Sequence, residues 1–338
     1  MTKLVVIPGD GIGHEVVPAA VEVLQAAIPD LQVEHAEAGW ACFEERGVSV
    51  PDETLAAIRD AGAALFGAVA SPAHKVEGYR SAIVTMRQEL ELHANVRPIR
   101  SWPIGGTRQG IDMLVVRENT EGLYVGRERQ EEGRVIAERV VTRQASERIA
   151  RAAFELARQG WWRRVTIVHK ANILPLSDGL FRDTVRQVAS EYSEIEVDEL
   201  LADTAALWLV RDPDRFDVIV TTNLFGDILS DAAVGWTGPG LAPSLNLGDG
   251  VALAEPVHGA APDIAGQGIA NPIAAILSGA LLARHVWHMP AAGEAMEKAV
   301  EATLRAGLRT PDIAGSIDDT TDTAGMAQAI IANLQRGG

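Results

Sequence analysis

Short apolar runs with the composition of buried strands alternate along the chain with stretches that have the spacing of amphipathic helices. This alternation predicts an α/β protein. In an open α/β sheet, ligands bind beyond the carboxyl ends of the strands, so polar residues that directly follow apolar runs are candidates for a functional site. The runs interpreted as strands include residues 4–7, 63–69, 111–116, 165–168 and 218–221.

The bulk composition narrows the class of protein. A length of 338 residues favours two domains, and no run approaches the ~18 apolar residues of a membrane span. The net charge of −16 argues against a nucleic-acid partner and against binding to an anionic membrane. The single cysteine, Cys42, excludes an internal disulfide framework, and the first residues show no signal-peptide pattern. We therefore expect a soluble cytosolic protein.

Acidic residues follow two of the strand-like runs. Asp227 and Asp231 come after the run at 218–221, and their spacing of four places both carboxylates on one face of a helix. Hard oxygen ligands of this kind suit Mg²⁺ or Mn²⁺. Asp203 follows a strand-like run at 194–201, and it is either the N-cap of the next helix or a third metal ligand.

Three arginines lie at the ends of predicted strands and helices, namely Arg87, Arg97 and Arg117. Guanidinium groups bind carboxylates through fixed bidentate forks, so three of them near one cleft would hold a di- or tricarboxylate. Taken singly, each arginine is better explained as a surface or salt-bridge residue. Their common position at element ends favours the binding role.

Two further side chains are candidates for proton transfer. Lys170 comes two residues after the run at 165–168, where a lysine is either a base or a solvated residue at a helix end. Tyr124 is one of only three tyrosines and is either an acid or a half-buried aromatic residue.

Two glycine-rich segments are candidates for cofactor binding. The turn at 9–13 lacks the G-x-G-x-x-G spacing of a dinucleotide fold, so we interpret it as a tight strand-to-helix turn. The segment at 258–266 is rich in glycine and alanine, which lets a backbone approach a flat ligand closely. Asp263 within it would accept hydrogen bonds from ribose hydroxyls and repel an added phosphate, which favours NAD over NADP.

Several of these segments together resemble the β-decarboxylating dehydrogenases, the family of isocitrate, 3-isopropylmalate and homoisocitrate dehydrogenases. The resemblance covers essentially the whole chain and is closest to homoisocitrate dehydrogenase. It rests on PGDGIGHE at 8–15, ANVRP at 94–98, RENTEG at 117–122, HKAN at 169–172, NLFGDILSD at 223–231, and the stretch from His258-Gly259 to Asn271-Pro272.

The resemblance implies an isopropylmalate dehydrogenase-like two-domain α/β fold, with a mixed sheet and flanking helices that differ from a Rossmann fold. One domain would comprise residues 1–95 and 238–338 and bind the cofactor. The other, residues 96–237, would carry the metal aspartates and form a homodimer. Lys170 and Asp203 would reach into the active site of the partner subunit.

Residue roles follow from the same resemblance. Lys170 would take the hydroxyl proton while hydride passes to NAD, and Tyr124 would protonate the enolate after CO₂ leaves. Mg²⁺ or Mn²⁺ would be held by Asp203, Asp227 and Asp231. Substrate carboxylates would bind Arg87, Arg97 and Arg117. The adenosine of NAD would be surrounded by His258, Asp263, Ile264 and Asn271, and the cofactor would also bind Glu255 and Gly259.

The choice among 3-substituted malates depends on the segment that leads into Arg87. If this segment is helical, Arg80, Ile83, Val84 and Arg87 share one face. Isocitrate enzymes have an asparagine at the position of Ile83, and isopropylmalate enzymes have a glutamate at the position of Arg80. The run from Ser71 to Tyr79, with Ser81, Ile83 and Val84, is similar to homoisocitrate dehydrogenases. The resemblance therefore makes homoisocitrate the first choice, 3-isopropylmalate the second and isocitrate the third, with broad specificity as an alternative. The remaining predicted substrate contacts are Ser71, Ser81, Asn172 and Ile173.

Overall fold

The computed structural model describes residues 2–72, 74, 76–160, 162–315 and 320–337. Within these residues the strands are β1 (Lys3–Gly9), β2 (Gln32–His35), β3 (Ala63–Ala68), β4 (Ala94–Arg100), β5 (Asp112–Glu118), β6 (Glu128–Glu131), β7 (Arg134–Ala137), β8 (Arg164–His169), β9 (Glu196–Leu201), β10 (Val218–Thr221), β11 (Pro243–Leu247) and β12 (Ala252–Pro256). The helices are α1 (Gly13–Ala27), α2 (Trp40–Arg46), α3 (Asp52–Ala61), α4 (Ala82–Glu89), α5 (Arg143–Gln159), α6 (Ser177–Ala189), α7 (Ala202–Arg211), α8 (Asn223–Val234), α9 (Ile273–His285), α10 (Pro290–Arg305) and α11 (Thr323–Arg336).

Internal contacts divide the chain into two compact units. The first comprises Met1–Leu92, Trp102–Gln109 and Thr237–Gly338, and the second comprises His93–Ser101 and Gly110–Trp236. The segment Trp102–Gln109 lies inside the predicted range 96–237 but packs with the first unit. Cofactor binding by one predicted domain and dimerisation by the other stay predictions.

The first unit is built on a mixed set of strands. β1 lies between β2 and β3, and all three are parallel. β12 runs parallel to β3 and antiparallel to β11. Apolar side chains from β1, β3, α3 and α4 form a buried core that includes Ile7, Ile58, Phe66 and Met86. On α1, the buried face comprises Val16, Val17, Ala20, Val23 and Leu24.

The glycine turn between β1 and α1 is a structural connection, as predicted. Gly11 has a positive φ of 54°, and an added Cβ would lie 2.1 Å from the carbonyl oxygen of Ala260. Asp10 is buried, and its carboxylate accepts hydrogen bonds from the backbone N–H groups of Trp40, Ala41 and Ala70. Asp10 therefore caps the first turn of α2 and is unsuited to a separate ligand role.

The second unit places the carboxyl ends of several parallel strands at one edge. β5, β10, β8 and β9 are parallel in that order, and β4 is antiparallel to β5. Thr221, the last residue of β10, is in register with Arg117 on one side and with Val168 on the other. The start of α8 and the segment that carries Lys170 therefore begin at the edge of the sheet where Arg117 lies. These mixed strands with flanking helices confirm the predicted α/β class.

Helix boundaries in the second unit follow local capping signals. Thr142 accepts a hydrogen bond from Ala145 N and begins α5, while Gly160 follows its last residue. A buried cluster that includes Ile99, Val115, Leu209, Ile219 and Leu229 packs α7 and α8 against the strands. In the described part of the chain, no helix is both long enough and apolar enough to cross a bilayer.

Candidate active site

Two arginines of the second unit project from neighbouring strands toward α8. Arg117 lies in β5 and pairs with Asn95 of β4, while Arg97 pairs with Val115. Both are buried, and the Arg117 side chain is only 1% exposed. A buried guanidinium is costly unless it is paired and hydrogen-bonded, so the contacts of these two residues define the local architecture.

Two of the three predicted metal aspartates, Asp227 and Asp231, contact these arginines. Asp227 contacts the guanidinium of Arg117, and its Oδ1 lies 3.7 Å from Nη2 of Arg97. Asp231 Oδ1 accepts a hydrogen bond of 2.8 Å from Nη1 of Arg97. The two aspartates therefore occupy one face of α8, as their spacing predicted. The phenol of Tyr124 also donates to Asp227 Oδ2.

Several residues that the sequence analysis did not assign to the site hold Arg97 and Arg117 in place. Asn223 Oδ1 accepts hydrogen bonds of 3.0 and 2.8 Å from Nε and Nη2 of Arg117. Gly226 lets Arg117 lie against α8, because an added Cβ would be 2.5 Å from its Cγ. Arg97 donates to Asn95 Oδ1 and Ser230 Oγ, both at 2.8 Å. Asn223 opens the motif NLFGDILSD and comes two residues after the end of β10, and these were the signals that could have found it.

Tyr124 lies in a short 3₁₀ turn, Leu123–Val125, beside this cluster. Its ring faces the Arg117 guanidinium at 5.0 Å. Burial, followed by the hydrogen bond to Asp227, raises the pKa of Tyr124 above its usual value, although the charge of Arg117 acts in the opposite direction. The phenol is therefore protonated at neutral pH and is suited to donate a proton.

The aspartate pair fits a hard divalent cation. The side chain of Asp227 is 32% exposed and that of Asp231 is 64% exposed, so a cation from solvent can reach both. Among the residues that the structure describes, no group of three His, Cys, Asp or Glu side chains is close enough to hold a metal. Mg²⁺ commonly binds one or two protein carboxylates together with oxygen atoms of the substrate, and this pair is suited to that arrangement.

Lys170 and Asp203 form a second polar cluster in the same unit. Lys170 follows β8, Asp203 lies in the first turn of α7, and the Lys170 ammonium donates to Asp203 Oδ1. Leu201 is the N-cap of α7, so the capping interpretation of Asp203 is wrong. The hydrogen bond from Lys170 lowers the pKa of Asp203. Asn172 and Ile173 are exposed just beyond Lys170.

The predicted specificity segment belongs to the first unit, and Lys75 at its start is outside the described residues. The helix α4 begins only at Ala82, so Arg80 is not a helical residue as the spacing argument assumed. Its guanidinium nevertheless extends along α4 and donates to Gln88 Oε1. Arg80 and Ser71 are exposed, whereas Ser81, Ile83 and Val84 are partly buried.

Arg87 is anchored within the first unit. Its Nε donates to Asn246 Oδ1 at 3.1 Å, and Nη2 donates to Glu255 Oε1 at 2.8 Å. The resemblance assigned Glu255 to the cofactor, and the structure places its carboxylate on a predicted substrate residue. Asn246 was missed because it lies in the middle of a strand.

The remaining predicted cofactor residues follow β12. Burial lowers the pKa of His258, so its ring is neutral, and no described residue forms a hydrogen bond with its buried Nε2. Gly259 and Asp263 are exposed, and Ile264 is partly buried. A ring nitrogen without a described hydrogen-bond partner and, five residues further along the chain, an exposed carboxylate are groups that could bind the ring and ribose of a nucleoside. Asn271 is buried, and its Oδ1 accepts from Ile273 N at the start of α9.

Comparison with known proteins identifies the family. The model for isocitrate/isopropylmalate dehydrogenases matches residues 3–330. The chain belongs to the isocitrate/isopropylmalate dehydrogenase family. It is 51% identical to the isocitrate/homoisocitrate dehydrogenase of Thermus thermophilus, over 97% of this chain and 98% of that protein. It is 46% identical to the 3-isopropylmalate dehydrogenase of Methanothermobacter thermautotrophicus, over 98% of each.

A solved structure of the same family gives the same result for the fold. The crystal structure of isocitrate dehydrogenase from Methylococcus capsulatus superimposes with a TM-score of 0.93 at 44% identity, covering 99% of this chain and 100% of that one. The predicted family and the isopropylmalate dehydrogenase-like fold are therefore confirmed, and the protein is a dehydrogenase.

Proposed function

We propose that this dehydrogenase is a homodimer that oxidises and decarboxylates homoisocitrate to 2-oxoadipate, with NAD and Mg²⁺ or Mn²⁺. Membership of the family supplies the coarser statement, which is oxidative decarboxylation of a 3-substituted malate. The observation that supports the reaction type best is the convergence of Arg97, Arg117 and Tyr124 on Asp227 and Asp231.

Binding of the malate core requires cations for its carboxylates. Arg97 and Arg117 are held rigidly by Asn95, Asn223 and Ser230, so little side-chain freedom is lost when a carboxylate binds. The two arginines balance the charges of Asp227 and Asp231 within one chain. A divalent cation at this pair therefore needs further anionic ligands, which Asp203 of a second copy and a substrate carboxylate would provide.

The chain supplies both proton-transfer groups. Lys170, as the neutral amine, would accept the proton of the substrate hydroxyl, and bound NAD would supply the hydride acceptor for the same carbon. CO₂ would then be lost from the neighbouring carbon. Tyr124, whose phenol is protonated at neutral pH and whose pKa burial raises further, would donate a proton to the resulting enolate. When bound at the aspartates, the metal ion would supply Lewis-acid stabilisation of the developing oxyanion.

The preference for homoisocitrate rests on the residues before α4. Arg80 is a cation at the exposed end of the segment, and the apolar side chains of Ile83 and Val84 lie between it and Arg87 along the chain. A substrate with methylene groups and a distal carboxylate matches this order of apolar and cationic groups. The Thermus relative is named for both isocitrate and homoisocitrate, which supports a tricarboxylate substrate.

A second candidate is 3-isopropylmalate. Ile83 and Val84 would accept an isopropyl group, and the Methanothermobacter relative is named for that substrate. Isocitrate, with a shorter arm, is the third candidate. We assign the cofactor as NAD because the exposed carboxylate of Asp263 would repel the extra phosphate of NADP.

The test is NADH formation with homoisocitrate, 3-isopropylmalate and isocitrate side by side, with Mg²⁺ or Mn²⁺ and after chelation. We expect the highest kcat/KM with homoisocitrate, no turnover after chelation and little activity with NADP. A higher kcat/KM with 3-isopropylmalate would replace the substrate assignment. A clear preference for NADP would refute the role of Asp263.

A further inference from the structure

Arg139 is a half-buried cation between three elements of the second unit, and the proposed reaction assigns it no role. It lies just beyond the hairpin β6–β7 and just before α5, and its side chain is 16% exposed. Its guanidinium contacts α6 on one side and α8 on the other. This position differs from the exposed arginine pairs elsewhere in the unit, such as Arg151 with Glu191.

On the side of α6, Arg139 meets a carboxylate that binds the backbone of Lys170. Nη1 of Arg139 lies 2.5 Å from Asp178 Oδ1 and 3.0 Å from Ser177 Oγ. Asp178 is completely buried, and its Oδ2 accepts a hydrogen bond of 2.6 Å from Lys170 N. The carbonyl oxygen of Lys170 accepts from Leu174 N at 2.9 Å. The backbone of Lys170 is therefore fixed at both its N–H and its C=O.

On the side of α8, Arg139 contacts the residues that begin the helix of the metal aspartates. Nη2 donates to Thr222 Oγ1 at 3.1 Å, and Thr222 is the N-cap residue of α8. The guanidinium also lies 5.7 Å from the centre of the Phe225 ring, one turn into the helix. The same cation therefore contacts the Asp178 carboxylate and the start of α8.

The backbone next to Arg139 reaches the third element. Val140 and Gly122 exchange two hydrogen bonds, of 2.9 and 3.3 Å, in an isolated antiparallel bridge. Gly122 immediately precedes the 3₁₀ turn that contains Tyr124. Arg139 and its neighbour thus connect the segments that carry Lys170, Tyr124 and Asp227.

We propose that the buried Arg139–Asp178 pair is a positioning device that fixes the segments of Lys170 and Tyr124 relative to the start of the metal helix α8. This inference rests on the proposed function for the roles of those three residues. Asp178 acts through the backbone of Lys170, and Arg139 acts through Thr222 and Phe225. Neither is assigned a direct contact with substrate.

Energetic considerations favour a positioning role over a purely stabilising one. A buried ion pair contributes little net stability compared with an apolar pair of the same size, because both ions lose hydration. The planar guanidinium offers donors in fixed directions, and here two nitrogens serve two different elements. Geometry is therefore what this pair provides that an apolar pair cannot.

The first test measures the backbone directly by amide hydrogen exchange of the segment that follows β8. Removing one partner alone would leave a buried charge and risk unfolding, so the variant is the double substitution Arg139→Met with Asp178→Leu. We expect exchange at the amide of Lys170 to accelerate at least about tenfold, with α5 unchanged. Wild-type exchange at this amide would overturn the link to Lys170.

The second test uses Arg139→Lys, which keeps a cation against Asp178 but loses the fork that reaches Thr222. We expect the Mn²⁺ concentration for half-maximal activity to rise at least about threefold, and kcat with homoisocitrate to fall at least about threefold while KM stays within about twofold. A wild-type Mn²⁺ requirement and kcat would overturn the link to α8. If the pair were merely structural, the substitution would not lower kcat while KM stays nearly constant.

Asp183→Asn is the matched control, because Asp183 lies on the same helix, pairs with Arg182 and is 61% exposed. It should change neither the exchange rate of the Lys170 amide nor the values of kcat and KM.

Hydrogen exchange can be measured on a protein that does not turn over substrate. If the wild-type protein oxidised none of the three malates while the Lys170 amide still responded to the double substitution, the proposed function would fail and the contact between Asp178 and Lys170 would stand.

Discussion

Arg97 and Arg117 of the second unit differ in burial from Arg80 and Ser71 of the first unit, although all four are predicted substrate contacts. In the second unit, Arg97 and Arg117 are buried and hydrogen-bonded to residues on β4 and α8. In the first unit, Arg80 and Ser71 are exposed at the start of the segment that leads into α4. The buried set is assigned to the malate core, and the exposed set is assigned to the substituent that differs among substrates.

This difference has a physical consequence. Changing a buried, multiply bonded arginine leaves several polar partners unsatisfied, so the core-binding residues have few tolerable alternatives. An exposed residue such as Arg80 can be exchanged at little cost in stability. Substrate choice can therefore vary within one fold while the chemistry stays fixed, which matches relatives of similar identity that are named for different malates.

The largest effect should come from the buried chemistry of the second unit. Lys170→Ala removes the proposed base, and general acid–base groups contribute typically 10²–10⁴-fold, so we expect kcat to fall by roughly 10³-fold. NADH formation under saturating substrate measures this. Lys298→Ala removes an exposed lysine paired with Glu294 and should leave kcat unchanged. Unchanged turnover in Lys170→Ala would indicate that the base lies elsewhere.

Tyr124→Phe should have the next largest effect, a fall in kcat of roughly 10²-fold, because the proton donor to the enolate is lost. The raised pKa gives the sign of the pH dependence: the acid form is present below that pKa and is lost above it, so any alkaline loss due to Tyr124 should lie above about pH 10. pH–rate profiles of both proteins measure this. Tyr192→Phe, which loses a hydrogen bond to Glu155, is the matched control.

Arg80→Ala tests the exposed region and should discriminate between substrates. Loss of a charge-assisted contact with a distal carboxylate should lower kcat/KM for homoisocitrate by roughly ten- to a hundredfold, with little change for 3-isopropylmalate. Arg305→Ala removes another exposed arginine of the same unit as a control. Equal losses with both substrates would show that Arg80 does not contact the distal group.

Gly226→Ala tests how closely the buried region is packed. An added Cβ at 2.5 Å from Arg117 Cγ must displace the guanidinium, and overpacking should cost roughly 1–3 kcal/mol of unfolding free energy and raise KM. Denaturant titration measures the first quantity. Gly179→Ala is a matched control on α6, where nothing lies within 4 Å of the new Cβ. If Gly226→Ala were as stable as wild type, the Arg117 side chain could move away from the added methyl group without loss of its stabilising contacts.

The predictability of each region followed from the range of the interactions involved. The α/β class, the family and the shared face of Asp227 and Asp231 could be predicted, because strand patterns, ordered motifs and a spacing of four are local in sequence. The contacts of Asn223 and Gly226 with Arg117 could not, since they join positions more than a hundred residues apart.

In the segment before α4, a local sequence pattern predicted the secondary structure incorrectly. Spacing placed Arg80 on a helical face with Arg87, but Ser81 is extended and the helix begins after it. No capping hydrogen bond from the Ser81 side chain marks that boundary. The local pattern therefore placed the Arg80 side chain next to α4 correctly, but it assigned the wrong backbone conformation to Arg80.

Mixed dimers test the proposal of a metal site shared between two subunits most directly. Asp227→Asn and Asp203→Asn chains, each inactive alone, are unfolded together, refolded and assayed with homoisocitrate, NAD and Mg²⁺. A shared site predicts recovery of about a quarter of wild-type activity, because about half of the dimers are mixed and each has one intact site. No recovery, with mixed dimers demonstrated by mass spectrometry, would contradict a site built from two copies of the chain.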